Sequence, residues 1–347
     1  MQRGVRSDRA PRFRSWRPRL VPSCSNTCPI PRQRSRVSAP PKNDSDHEPG
    51  PGAVWLARAL LTLGRLPDGV RYALARFIVL LAADVLRYRR RVVRENLERA
   101  LPEFDEANRR QIERETYRRM GEAIAEVLAC VHMSEAELRE RVELVPSPEI
   151  EAHLRAGRSV ILLGAHQYNW EWGALRAAAE FGVPVVALVK TLHVELGNHM
   201  VRRLRERFGQ RSLPIQSASR ALVRERNVPK IIGMLADQRP RRTGEHAVFQ
   251  WLGRESEFHI GPERLARAFG WPVCFLNIQR ISRGRYRAWA QALEPAPSAG
   301  EWPLTEAYAR AVEAQIRRDP AGWLWTHQRW RAKKKQKQQN KPASASP

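Results

Sequence analysis

Ser159–Gly173 reads SVILLGAHQYNWEWG, an apolar run that breaks at a glycine and gives way to a histidine, an aromatic and polar turn, and a glutamate. Val160–Leu163 is short, wholly apolar and bounded by Ser159 and Gly164, the pattern of a strand buried on both faces of a parallel sheet. Trp170–Phe181 reads as the following helix, closed by Gly182 and Pro184, and Val185–Val189 as the next buried strand. His166 then stands at the carboxyl end of a strand, the edge at which open α/β sheets bind their ligands.

Working towards the C-terminus, the alternation continues with a helix around Met200–Phe208 and a strand at Lys230–Leu235 that runs into Ala236, Asp237 and Gln238. A loop rich in charge and glycine comes next, then a helix at Gly261–Phe269, a strand at Val273–Ile278, an edge strand at Tyr286–Leu293 and a final helix at Thr305–Arg318. Trp323–Trp330 is an aromatic and basic segment. The expected fold is α/β, a mostly parallel central sheet flanked by helices and preceded by N-terminal membrane-associating helices. Val160–Leu163 and Lys230–Leu235 are expected to be adjacent or nearly so in that sheet. No internal repeat is present.

Towards the N-terminus, Val70, Leu74, Phe77, Ile78, Leu81 and Val85 recur at helical spacing and make one apolar stripe. Arginines interrupt Val54–Leu86 too often for a membrane span. The stripe fits either a helix packed on the core or a helix lying in the membrane interface. Arg87, Arg89, Arg90, Arg91 and Arg94 follow it as a cluster suited to an anionic leaflet. Val92–Ala100 continues helically, and Ile112, Met120, Ile124, Val127 and Leu128 mark a further amphipathic helix. The organisation expected is a disordered basic tail at 1–50, a helical membrane-associating region at 51–140, an α/β domain with C-terminal helix at 141–331 and a second disordered basic tail at 332–347.

The 347 residues carry a formal net charge of +25, of which residues 1–50 contribute +7. Such a surface favours anionic partners: nucleic acid, an acidic membrane, phosphorylated lipid or an acidic carrier protein. Cys24, Cys28, Cys130 and Cys274 lack metal-ligand spacing and read as reduced thiols. No stretch resembles a secretory signal.

His166 and Glu171 form an HxxxxE pair, but nine histidines in a chain about one-tenth acidic produce roughly one such pair by chance, and His132 with Glu137 is a second copy. Context separates them. His132 enters the polar segment MSEAELRE, which reads as a Ser134-capped surface helix, whereas His166 ends a buried strand. Five residues advance an α-helix by about 500°, so the two side chains meet only if His166 lies in the turn and Glu171 in the first helical turn. The carboxylate would then fix the imidazole tautomer and leave the other nitrogen to take a proton from a hydroxyl. The plainer reading, a strand-end histidine satisfied by a backbone carbonyl, fits the spacing equally.

Several segments coincide in order with one family. RENLERALPE (Arg94–Glu103), GAHQYNWEWG (Gly164–Gly173), RERFG (Arg205–Gly209), ADQRP (Ala236–Pro240), then Phe249, Gly253 and Gly261, and finally WLWTHQRWRAK (Trp323–Lys333) resemble the motifs of the bacterial lipid A late acyltransferases, in the lysophospholipid acyltransferase superfamily. Lys190 and Thr191 depart from the Arg-Pro pair common there. The resemblance, from about residue 53 to 333, implies transfer of a fatty acyl group from an acyl-carrier protein or coenzyme A thioester to a hydroxyl of a lipid A precursor, at the cytoplasmic face of the inner membrane. It implies His166 as base, Glu171 behind it and Arg205 facing the oxyanion, with Asn169, Trp170, Asp237, Gln238 and Arg329 around the substrate. No metal or retained cofactor is expected; acyl-carrier protein, an anionic lipid and the membrane are the expected partners. Two alternatives stand beside it: an acyltransferase for a phospholipid or another glycolipid, and a basic nucleic-acid-binding protein. Against the latter, the arginines are spread over amphipathic helices and no nucleic-acid-binding motif is evident.

Overall fold

A computed structural model describes residues 52, 61–190, 204–241, 244–295 and 300–330. Both basic tails, Cys24, Cys28, Thr191, the first part of the Val54–Leu86 stretch and the head of the Met200–Phe208 helix lie outside the described residues. Those described belong to one compact unit.

The chain enters through four helices. α1 (Asp68–Leu80) follows Pro67 and carries Asp68 in its first turn, where a negative charge suits the helix dipole. Arg71 folds back onto the carbonyl oxygens of Leu66 and Gly64 at 2.7 and 3.1 Å. A π-helical turn at Leu81–Val85 leads to α2 (Arg90–Ala100). α3 (Glu106–Cys130) starts at Asp105, whose carboxylate accepts the Asn108 N–H at 2.7 Å. α4 (Glu135–Arg141) starts at Ser134, which accepts the Glu137 N–H as its sequence pattern predicts. α1 lies on α3 at Gly121, where a Cβ would meet the Ala75 carbonyl oxygen at 3.2 Å.

The 140/141 boundary falls at the end of α4, one residue before β1 (Val142–Leu144). Then come α5 (Pro148–Arg155), β2 (Val160–Gly164), α6 (Trp170–Ala178), β3 (Val185–Val189), a helical turn at 204–207, β4 (Gln210–Pro214), α7 (Ile215–Arg224) and β5 (Ile231–Leu235). β6 (His246–Trp251) and β7 (Arg254–His259) precede α8 (Gly261–Phe269), β8 (Val273–Ser282), β9 (Arg285–Ala292) and α9 (Pro303–Arg318).

Seven strands form one sheet in the order β1-β9-β8-β2-β5-β3-β4. β8, β2, β5, β3 and β4 run parallel, and β9 pairs antiparallel to β8. The expected pairing of Val160–Leu163 with Lys230–Leu235 holds: Val160 lies opposite Ile231 and Gly164 opposite Leu235. Alternate residues feed opposite layers. Ile161, Leu163, Val186, Ile232, Val273 and Phe275 face one layer with residues of α2, α7, α8 and α9, while Val160, Leu162, Val185, Ile231, Cys274 and Leu276 face the other with α4, α5 and α6.

Three readings of the sequence need correction. β9 is internal, because the three-residue β1, too short to signal itself, pairs parallel on its outer side. β4 was not foreseen: as the other edge strand, only half covered, its QRSLP lacks the apolar run of a buried strand. The segment read as a charged, glycine-rich loop is the β6–β7 hairpin. Its turn residues Leu252 and Gly253 both have positive φ, 51° and 70°, as a tight hairpin turn requires. The charges occupy its outer face, while Trp251 and Phe258 are buried inward.

Candidate active site

The register of β2 on β5 creates the site. Gly164 pairs with Leu235, and two residues beyond each strand end stand His166 and Asp237. Tyr308 of α9 ties those ends together: its hydroxyl donates to the Gly164 carbonyl at 2.7 Å and accepts the Ala236 N–H at 3.1 Å. The imidazole Nδ1 of His166 lies 2.7 Å from Asp237 Oδ1, and its backbone N–H donates to Oδ2 at 3.0 Å. Trp323 Nε1–H donates to the same Oδ2 at 2.7 Å. Asp237 is fully buried, and burial by itself would raise its pKa. Proximity to His166 and the bonds from its side chain and backbone and from Trp323 outweigh that, holding the carboxyl down at about 2.

An ionised carboxylate on Nδ1 selects the Nδ1–H tautomer and leaves Nε2 with its lone pair. Nε2 makes no hydrogen bond with any described residue, and the side chain is 18% exposed. Trp170 sets its ring edge-on to the imidazole, with centroids 5.2 Å apart. The site therefore has a fixed, open proton acceptor.

The partner expected on His166 was Glu171; the structure places Asp237 there instead. Glu171 turns to Arg205, whose Nε and Nη2 donate to its two oxygens at 2.7 and 3.0 Å. The pairing is bidentate and both side chains are largely buried. Arg205 was expected free to meet an oxyanion and is committed through two of its three nitrogens. Asn169, expected at the substrate, is 2% exposed and caps α6: its Oδ1 accepts the Trp172 N–H at 3.2 Å, and its Nδ2 donates to Glu126 at 3.1 Å. Arg329 is buried, donates to the Glu257 carbonyl at 2.7 Å and stacks over Phe258 and Trp251 at 4.7 and 5.0 Å. Burial lowers its pKa to about 10, against the attraction of Asp237 and Glu257. Gln238 is half-buried beside Asp237 and carries no side-chain hydrogen bond to any described residue. Of the eight residues singled out, the structure thus joins His166, Trp170 and Asp237 directly, sets Glu171 with Arg205, and gives Asn169 and Arg329 structural contacts.

Four further contributors support the histidine turn. The segment from Asp319 to Trp330 is strapped along the histidine turn: Tyr168 N–H donates to the Gly322 carbonyl at 2.8 Å, Leu324 N–H to the His166 carbonyl at 3.0 Å, and Gln167 Nε2 to the Asp319 carbonyl at 3.0 Å. A Cβ on Gly322 would fall on the Gln167 amide and near Asp319 Oδ2, so a larger residue there would have to displace the side chain that bonds the Asp319 carbonyl. Asn96 of α2 holds the strap from behind through the carbonyls of Trp325 and His327 at 2.8 and 2.7 Å. The third is Tyr308. The fourth, Glu126 of α3, is a buried carboxylate that accepts from Tyr72, Asn169 and Tyr286 at 3.1, 3.1 and 2.8 Å. Burial raises its pKa, against the three donors. Glu126 in an otherwise small and apolar stretch, AIAEVLA, was a signal available in the sequence; Tyr308 left none. The second HxxxxE copy lies apart: His132 is exposed and contacts the Leu61 carbonyl, and Glu137 pairs with Arg141.

A histidine oriented by a buried aspartate stands at the carboxyl ends of adjacent parallel strands, with one ring nitrogen open as a proton acceptor at the edge where α/β sheets bind their ligands. Residues 42–332 match the model of the family described as bacterial lipid A biosynthesis acyltransferase, and the chain belongs to that family. It is accordingly an acyltransferase. No individual curated protein matches the chain.

Proposed function

We propose that the chain transfers a fatty acyl group from a thioester, carried on acyl-carrier protein, to a hydroxyl of a lipid A precursor. The observation that carries this reading is the open Nε2 of a histidine whose Nδ1 is held by Asp237. The acceptor hydroxyl loses its proton to Nε2 as its oxygen attacks the thioester carbonyl. Asp237 offsets the charge of the imidazolium so formed. The tetrahedral oxyanion then collapses, the carbon–sulfur bond breaks, and the imidazolium returns the proton to the leaving thiolate. Ester and free thiol are the products, with no redox change and no metal required. Glu171 fixes Arg205, whose remaining Nη1 pairs with no carboxylate among the described residues, so the guanidinium can approach the developing oxyanion at small cost in reorganisation.

Membrane association is part of the proposal. Val70, Leu74, Phe77, Ile78, Leu81 and Val85, the whole of the apolar stripe, face outward, with Phe77 65% and Val85 67% exposed, while Tyr72, Ala75 and Val79 pack inward. A contiguous patch of this kind favours an apolar environment. No helix among the described residues is long and apolar enough to cross a membrane, so α1 would lie in the interface. The arginine cluster contributes less than expected, since Arg89, Arg90, Arg91 and Arg94 bond within the chain, Arg90 and Arg94 sharing Glu113.

The test is acyl transfer from an acyl-carrier-protein thioester to a lipid A precursor. His166→Ala is expected to lower the rate by roughly two to four orders of magnitude, and His132→Ala to leave it near normal. Equal activity of the two folded variants would remove the assignment.

A further inference from the structure

Away from the dyad, a cavity of about 770 Å3 opens between α1, the π-helical turn, α2, α3 and the start of the C-terminal strap. None of His166, Trp170, Glu171, Arg205 or Asp237 lines it. Leu80, Ala83, Phe104 and Ile112 give it an apolar lining, and six arginines share its walls with four carboxylates. Four of the arginines are already committed. Arg90 pairs with Asp84 and Glu113, Arg118 with Glu115, Arg119 with Glu115 and Asp319, and Arg317 with Glu103 and Glu313. Each of the four carboxylates thus already has an arginine partner. Two arginines remain, Arg76 of α1 and Arg114 of α3, both exposed and neither with a carboxylate or any other hydrogen-bonding partner among the described residues.

An apolar pocket with two uncommitted guanidiniums fits an amphiphile with an anionic head. Guanidiniums bind phosphate oxygens by charge-assisted hydrogen bonds, and the apolar lining takes the adjoining hydrocarbon. The position supports a lipid in particular. Arg76 and Leu80 lie on α1 one residue before Phe77 and Leu81 of the exposed stripe, so the cavity lining adjoins the face that the preceding proposal sets in the membrane.

We propose that this cavity binds the phosphate head of an anionic phospholipid from the surrounding bilayer, at a site separate from the catalytic dyad. The inference rests on the membrane-facing reading of α1 but not on the identity of the acyl acceptor. Its occupant would join α1 to α3, the two helices whose Tyr72 and Glu126 lead to Asn169.

The full chain, purified in a neutral detergent, is titrated with dihexanoyl phosphatidate, dihexanoyl phosphatidylcholine and glycerol 3-phosphate. Phosphatidate is expected to bind at least about tenfold more tightly than either of the others, since it alone combines chains with an unshielded phosphate. Its affinity should fall about tenfold or more in Arg76→Ser/Arg114→Ser, two exposed positions whose replacement leaves the packed faces intact. His166→Ala should bind phosphatidate as the parent does. Equal affinity for phosphatidylcholine, or undiminished phosphatidate binding by the double variant, would overturn the proposal. Tight binding of glycerol 3-phosphate would make this a site for a free phosphate ester, and displacement of phosphatidate by the acyl acceptor would make it the acceptor's own seat; either result also overturns it.

Discussion

Asp237 and Glu171 are both buried acids within reach of basic partners, yet their surroundings assign them different work. Asp237 sits on the imidazole and Glu171 on a guanidinium. Asp237→Asn should keep the shape but place an amide against Nδ1 and remove the charge behind the imidazolium, lowering acyl transfer by about two to four orders of magnitude. Glu171→Gln weakens one charged contact to Arg205, and a loss nearer tenfold is expected. Steady-state rates of the two folded variants decide the matter, and a larger loss in Glu171→Gln would return the dyad to the HxxxxE pair. His327 offers a test by stability. Its Nε2 accepts the Arg239 N–H at 3.3 Å, and burial, reinforced by Arg329 against the pull of Asp237, lowers its pKa to about 4. The unfolded chain protonates this group near 6.5 and the folded chain only near 4, so the unfolded state binds the extra proton in that window. Stability should fall as pH drops from about 6.5 towards 4. In His327→Gln, which keeps an acceptor and cannot titrate, denaturant midpoints between pH 7.5 and 4.5 should decline less steeply. Parallel declines would show that His327 contributes nothing to acid sensitivity.

At the scale of elements, the site is held by pieces far apart in the chain. The turn after β2 is capped by Asn169, Asn169 is held by Glu126 of α3, and Glu126 also receives Tyr72 of α1 and Tyr286 of β9. Trp172 Nε1–H adds a bond to the Glu126 carbonyl at 3.2 Å. Removing the carboxylate would leave three buried donors without an acceptor, each costing on the order of 1–3 kcal/mol. Glu126→Leu is therefore expected to destabilise the fold by several kcal/mol, visible as a large drop in denaturant midpoint. Glu126→Gln retains one oxygen acceptor and should fall between Leu and the parent, with activity recovering in the same order. A Gln variant no better than Leu would mean that α3 supplies packing alone. The C-terminal strap works in the same way, held to the histidine turn by the backbone N–H groups of Tyr168 and Leu324 and by the side-chain amide of Gln167, and from behind by that of Asn96.

For the whole molecule, the proposed membrane association rests on the outward stripe of α1. Replacing Phe77, Ile78, Leu81 and Val85 by serine removes apolar surface that packs on nothing within the fold, so thermal stability should change little while flotation with vesicles drops sharply. Unchanged flotation would place the membrane contact elsewhere. The sequence by itself determined the strand at Val160–Leu163, the parallel sheet and the position of His166 at its carboxyl edge, because a four-residue apolar run between breakers has few other uses. It also determined the amphipathic stripe and the Ser134-capped start of α4, which depend on neighbours a few residues away. Which way the stripe faced, which acid met the histidine and what the Trp323–Trp330 segment was for were decided only in three dimensions. Asp237 is 71 residues from His166 in the chain, and nothing in either segment encodes their meeting. It follows from the pairing of Gly164 with Leu235 in adjacent strands, a register set by the packing of both sheet faces rather than by any local pattern. Glu171 was the nearer acid in sequence, but helix geometry turned it towards Arg205.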